Sequence, residues 1–178
     1  MSLDGWATRP IGTNAVESMQ HPALPCCSSE EPGYKTDMLR CTPFLLFDGN
    51  CAEAMSFYRD CLGGDLALTK LGDTPMKAQL APEKHGRIIN AHLKSDALEI
   101  SATDWMASPE FDPVQGNTTA IFVTGDSYAE LKSVFDKLRD GTNNSRLQEL
   151  HEMPFGTYGQ FYDRYGVQWI FRSAAKPA

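Results

Sequence analysis

The chain has 178 residues, of which 42% are hydrophobic and 22% charged, enough for one folded domain and too apolar for disorder throughout. Its formal charge of −7, without a basic stripe, argues against binding to nucleic acid or to an anionic membrane surface. No apolar run reaches the roughly 20 residues of a membrane helix, and the N-terminus lacks the apolar region of a secretory signal. We therefore expect a cytoplasmic protein.

The five cysteines form neither a CxxC pair nor a zinc signature. An odd number of cysteines in a chain of this size indicates free thiols in a reducing compartment. Cys51 and Cys61 fall on a predicted helix, where a buried cysteine packs as a small apolar residue.

The first 40 residues differ from the rest of the chain. They contain turn residues, as in SSEEPG at 28–33, without helical or strand periodicity. We predict a mostly irregular N-terminal extension over residues 1–40, one domain over 41–173 and a short tail over 174–178.

The next patterns predict a β-α-β-β-β module over about 42–104. Its helix has Asn50 as N-cap and Glu53 in a variant capping box, and Gly63 and Gly64 end it. A long surface loop is predicted over 72–88. Apolar runs and alternation predict four strands, at 42–47, 65–71, 89–94 and 97–102.

The same order of elements recurs over about 117–172. Ser127 and Glu130 form a capping box, an apolar helical stripe follows, and Gly141 ends that helix. The predicted strands are 119–123, 147–153, 158–163 and 167–171, the last two joined by a hairpin. A shift of 77 residues aligns identical helix residues, which indicates an internal duplication: Ala52 with Ala129, Glu53 with Glu130 and Ser56 with Ser133.

Two such modules in one chain resemble the vicinal oxygen chelate superfamily, which includes glyoxalase I, bleomycin-resistance proteins and extradiol dioxygenases. The segments FDGNCAEA at 47–54, FY at 57–58, LGG at 62–64 and FGTYGQFYDRYGVQWI at 155–170 resemble its PhnB-like members. The resemblance covers about 42–172. It implies an α+β fold in which two βαβββ modules form a glyoxalase-like cupped sheet around a cavity, and a homodimer.

The resemblance also implies four positions for a divalent metal, from the first and last strand of each module. These positions hold Thr42 or Pro43, then Glu99, then Thr118 or Thr119, then Trp169 or Ile170. A lone carboxylate does not hold a transition metal, which normally has three or four protein ligands. We therefore expect no metal cofactor. The remaining residues for an unrecognised metal set, surface residues by default, are His85, His92, Glu99, His151 and Glu152.

Glu99 and His92 fall on neighbouring predicted strands. If they share a face of the sheet, they could form an acid/base pair, although an outward-facing Glu and a structural His are the simpler interpretation. These two residues are the weak catalytic candidates. The residues that could line a ligand pocket are Glu99, Asp104, Trp105, Phe161 and Trp169, although the aromatic ones equally suit a core.

Several enzyme classes lack their motifs. There is no phosphate-binding GxGxxG or GxxxxGK[ST] segment, no glycine loop to hold S-adenosylmethionine, and no GxSxG elbow. The leading hypothesis is a PhnB-like protein that binds a small organic molecule in a metal-free cavity. The alternatives are a lyase, isomerase or dioxygenase-like enzyme using Glu99 and His92 or an unrecognised metal site, and a chiefly structural or interaction role.

Overall fold

Two β-α-β-β-β modules follow one another in the computed structural model, which describes residues 41–104, 113–114, 116–142 and 144–176. The predicted extension over 1–40 and Trp105 lie outside the described residues. The first module consists of β1 Phe44–Phe47, α1 Cys51–Leu62, β2 Asp65–Lys70, β3 Ile88–Lys94 and β4 Glu99–Asp104. The second consists of β5 Ile121–Thr124, α2 Tyr128–Leu138, β6 Gln148–Met153, β7 Gly156–Tyr162 and β8 Gln168–Ser173.

Each module forms its own four-stranded sheet, in the order β1-β4-β3-β2 and β5-β8-β7-β6. The first and last strands of each module pair in parallel, and the other pairs are antiparallel. The shift of 77 residues also relates the starts of β1 and β5 and the starts of α1 and α2. The predicted fold class and the duplication are therefore confirmed.

The core lies between the helices and one face of each sheet. Met55 and Tyr58 of α1 and Phe135 of α2 are buried there, against alternate residues of the strands such as Ile100 and Phe171. Alternation follows from the pleat, which turns successive side chains to opposite faces. The second face of each sheet therefore presents the intervening residues, and we call these the open faces.

Two predictions of local structure in the first module were incomplete or wrong. Residues 71–87 contain three short 3₁₀ turns, two of which begin at Pro75 and Pro82, because proline suits the first position of a helical turn. The strand predicted from Ala97 begins at Glu99 instead, since the Ser95 amide donates to Leu98 O and closes a turn there.

None of the described helices is long and apolar enough to cross a membrane.

The two helices begin differently. The Ser127 hydroxyl accepts from the Glu130 amide at 3.4 Å, which confirms the predicted N-cap of α2. The Asn50 side chain makes no capping hydrogen bond to α1, so that prediction was wrong. Asp104 takes its place, since its Oδ1 accepts from the amides of Gly49 at 2.8 Å and Cys51 at 2.9 Å.

Candidate functional site

The open face of the first module brings His92 and Glu99 together. His92 lies on β3 opposite Ser101, and Glu99 lies two residues before Ser101 on β4, so all three side chains share a face. His92 Nε2 lies 3.1 Å from Glu99 Oε1, and both side chains are about one third exposed. The carboxylate can therefore orient the imidazole, which is the geometry of a solvent-accessible acid/base pair.

The open face of the second module contains a chain of polar side chains. The Tyr158 hydroxyl donates to Gln160 Oε1 at 3.2 Å, and Gln160 Nε2 donates to Gln148 Oε1 at 3.2 Å. Gln148 Nε2 then lies 3.4 Å from His151 Nε2, and His151 Nδ1 lies 2.8 Å from Glu149 O. A carbonyl oxygen can only accept, so His151 Nδ1 is the donor in that contact.

A cavity of about 630 Å³ lies between β1 of the first module and the segment 165–168 of the second. Phe44 and Leu46 of β1 line it from the first module, and Gln168 of β8 lines it from the second. Phe44 is 57% exposed and Leu46 is 40% exposed. Gly116, Thr118, Thr119 and the turn at 165–167 also line it, as do the residues that surround Phe44 and Leu46: Leu45, Phe47, Asp48, Asn50, Pro113 and Val114. This volume lies within the range of pockets that hold small organic ligands.

Tyr165 lines this cavity, and its ring packs on Phe57 and Tyr58 of α1. Its hydroxyl donates to Glu53 Oε1 at 3.0 Å. Burial, and then the Glu53 hydrogen bond and charge, raise the pKa of Tyr165 to about 12. The hydroxyl is therefore not a base near neutral pH.

Three of the predicted pocket residues lie in the interior. Phe161 and Trp169 belong to the helix-covered face, where Phe161 packs edge-on against Phe135 and Trp169 against Tyr58. Asp104 is buried at the start of α1 and also accepts from the Ile88 amide at 2.8 Å. The neighbours of all three residues along their strands lie on the open faces, because successive side chains of a strand point to opposite faces of the sheet.

The residues that dominate the second open face were not among the predicted site residues. The sequence GTYGQFY at 156–162 has no regular apolar/polar alternation, and the alternation of buried and half-buried residues appears only in the structure. Tyr158, Gln160 and Tyr162 occupy the positions between the core residues, and Tyr162 donates to Gln168 Oε1 at 3.0 Å.

The other residues considered for a metal site are dispersed. His85 Nε2 lies 3.1 Å from the carbonyl oxygens of both Lys77 and Leu80, so it fastens the segment between β2 and β3. Glu152 forms an ion pair with Lys176 at 2.5 Å, and His151 belongs to the second open face.

Comparison with known proteins assigns the chain to a family. A family model described as 3-demethylubiquinone-9 3-methyltransferase matches residues 39–171. The chain belongs to that family. Protein PA1353 from Pseudomonas aeruginosa is 31% identical with a TM-score of 0.67, over 79% of this chain and 100% of that one. The family is the PhnB-like group that the sequence segments indicated.

Two further relatives agree with this placement. A putative 3-demethylubiquinone-9 3-methyltransferase, PhnB protein, from Bacillus cereus is 24% identical over 76% of this chain and 99% of that one, with a TM-score of 0.59. Protein YjdN of Escherichia coli strain K12 is 26% identical over 140 residues, 72% of this chain and 91% of that protein.

The fold is glyoxalase-like. A glyoxylase/bleomycin resistance protein/dioxygenase domain from Frankia sp. EAN1pec matches 75% of this chain and 95% of its own with a TM-score of 0.51. At 16% identity this likeness concerns the fold alone. The predicted membership of the vicinal oxygen chelate superfamily is confirmed.

The residues at the four positions where the superfamily holds its metal ligands do not fit a metal ion. Thr42, Pro43 and Glu99 line one cavity, whereas Thr118 and Thr119 line another, and Trp169 is buried. No three His, Cys, Asp or Glu residues of the described chain lie together as a metal site requires.

The described residues also do not fit the S-adenosylmethionine that a methyltransferase would hold. A glycine-rich turn between a strand and a helix would hold such a ligand, whereas the turns before α1 and α2 contain one glycine each. Between β1 and α1 the amides of Gly49 and Cys51 already donate to Asp104. We therefore derive no methyl-transfer step.

Proposed function

We propose that this protein binds a small organic molecule in the cavity between β1 and the segment 165–168. The observation that supports this most is the cavity's lining. Phe44 and Leu46 offer apolar surface, while Gln168, Thr118 and Thr119 offer polar groups. A mostly apolar cavity with a few oriented polar groups suits ligand binding without a metal.

We propose that the protein is a homodimer in which a second copy of the chain packs against the open faces. Phe44, Leu46 and Phe122 are large apolar side chains that remain 57%, 40% and 57% exposed on these faces. Apolar patches of this kind mark interfaces. Light scattering should therefore give about twice the chain mass of 19.7 kDa. A monomer at every concentration would contradict the homodimer.

The proposed compartment is the cytoplasm. The described cysteines, Cys41, Cys51 and Cys61, are free thiols. Free thiols persist in a reducing environment.

An acid/base enzyme is a second candidate, supported by the 3.1 Å contact between His92 and Glu99. In such an enzyme the pair would move a proton on a bound carbonyl compound. Hydrogen–deuterium exchange into a bound ligand, followed by NMR, tests this. The exchange should depend on protein and disappear in Glu99→Gln. Equal exchange with and without protein would contradict the candidate.

Ligand binding is tested with a fragment library by ligand-observed NMR. Leu46→Asp places a charge in the cavity and should abolish binding of the hits. Leu68→Asp is the matched control, because Leu68 is 39% exposed but does not line the cavity. Circular dichroism confirms that both variants fold. Hits that bind Leu46→Asp unchanged would contradict the proposal, as would a library without hits.

A further inference from the structure

Two arginines differ from the others in the described chain. Four of its six arginines form an ion pair with a carboxylate: Arg59 with Asp60, Arg87 with Asp48, Arg139 with Glu149 and Arg164 with Asp140. Arg146 and Arg172 have no carboxylate within ion-pair distance among the described residues. Each instead stacks on an aromatic ring, Arg146 on Tyr162 at 5.1 Å and Arg172 on Phe155 at 4.8 Å. In a chain of net charge −7, such arginines are available to an anion.

Arg146 lies beside the proposed ligand cavity. It lines a smaller cavity of about 200 Å³ together with Gly116, Asn117 and Tyr162. Gly116 lines both cavities, so the two adjoin. Tyr162, under the guanidinium, also donates its hydroxyl to Gln168 Oε1, and Gln168 lines the larger cavity.

Two side chains at this junction are available as donors. The Asn117 amide beside them can donate or accept, and the Asp48 carboxylate, which lines the larger cavity, is paired with Arg87. The guanidinium of Arg146 has only donors. The carbonyl oxygen of Gln168 already accepts from Tyr162 at 3.0 Å, which leaves Gln168 Nε2 to donate. Stacking on Tyr162 holds the guanidinium plane in place before a ligand arrives. A carboxylate, which accepts with two oxygens and matches the guanidinium fork, complements this arrangement.

We propose that the ligand of the cavity is an apolar organic carboxylate, whose apolar body packs on Phe44 and Leu46 and whose carboxylate binds Arg146. This inference rests on the proposed function and narrows it to a ligand class. Arg146 then determines specificity by selecting the charged form over neutral analogues of the same shape.

Arg172 provides a matched control. Like Arg146, Arg172 is exposed, stacks on an aromatic ring and has no ion pair with a described carboxylate. It differs in position, because it lies opposite Tyr158 on the neighbouring strand and not beside Tyr162. Tyr158 and Tyr162 are four residues apart on β7, about 13 Å at roughly 3.3 Å per residue. Arg172 is therefore at the far end of the open face.

The test is calorimetric titration of the full chain with naphthoate and with naphthamide, which share a ring system and differ in charge. Wild type should bind naphthoate at least about tenfold more tightly than naphthamide. Arg146→Gln should remove this preference, Arg146→Lys should retain part of it, and Arg172→Gln should retain all of it. Thermal melting verifies that each variant is folded.

Three results would overturn the inference. Equal binding of the two probes by wild type would overturn the carboxylate preference while leaving small-molecule binding in place. Loss of the preference in Arg172→Gln rather than in Arg146→Gln would overturn the assignment of Arg146. If neither probe binds, the ligand class is wrong, and the fragment screen decides separately on the proposed function.

Discussion

The hydroxyl of Tyr58 donates to Oδ2 of Asp163 at 2.6 Å, joining residues 105 positions apart in the chain. Tyr58 lies on α1 of the first module, and Asp163 begins the turn between β7 and β8 of the second. The same carboxylate accepts from Trp169 Nε1 at 2.8 Å and from the amides of Tyr165 and Val167 at 2.9 and 3.0 Å. Tyr165 and Val167 line the cavity, so this buried carboxylate fixes the modules and one cavity wall together.

Tyr58→Phe should lower the free energy of unfolding by about 1–3 kcal/mol, because it leaves a buried carboxylate oxygen with one donor fewer. The change removes one atom from a fully buried ring, so packing is otherwise preserved. Urea unfolding at neutral pH measures the difference.

Tyr128→Phe is the control, because no hydrogen bond of the described residues involves the Tyr128 hydroxyl. Its effect should stay within about 0.5 kcal/mol. Equal stability of Tyr58→Phe and wild type would show that Asp163 does not need this donor.

Asp104→Ala should destabilise the protein by about 2 kcal/mol or more, because three backbone amides lose their acceptor. Asn50→Ala, at the residue directly preceding α1, should change stability by less than about 0.5 kcal/mol. Thermal or urea unfolding of both variants checks the comparison. A larger cost for Asn50→Ala than for Asp104→Ala would reverse the assignment of the cap.

The free energy of unfolding should fall with rising pH above about pH 9, in part because of Cys51. Burial, and then the nearby Asp104 charge, raise the pKa of this thiol from 9.0 to about 12. Below pH 9 the thiol is protonated in both states and contributes no pH dependence. Between pH 9 and about pH 12 the unfolded chain releases the thiol proton while the folded chain holds it, so rising pH favours unfolding.

Cys51→Ala isolates this contribution. Burial, and then the Asp163 charge, also raise the pKa of Tyr58, and burial raises that of Tyr165, so wild type and variant must be compared at each pH. Urea unfolding between about pH 8 and 11 should give a shallower decline for the variant. Parallel declines would show that Cys51 is solvated in the folded state.

The local elements could be predicted because each depends on short-range patterns. Gly63 and Gly64 adopt positive φ values where α1 ends, and the apolar stripe of α2 is visible in its sequence. The cap of α1 could not be predicted, because Asp104 lies 53 residues after Cys51. Pairing at that separation depends on the sheet, which places the end of β4 beside the end of β1.

The candidate site was only partly predictable. His92 and Glu99 could be named from the sequence, but their contact depends on the register between β3 and β4. Phe161 and Trp169 were assigned to a pocket because large aromatic residues suit a pocket and a core equally well. Only the register of β7 and β8 shows that their neighbours Gln160 and Gln168 belong to the open face.

The most direct test of the central claim is amide chemical-shift mapping of a fragment hit on the isotope-labelled protein. We expect the shifted amides to cluster around the cavity, at Phe44–Phe47, at Thr118 and Thr119, and at 165–168. Shifts confined to the opposite surface, such as the groove lined by Lys132, Asp136 and Arg139, would contradict the proposed site.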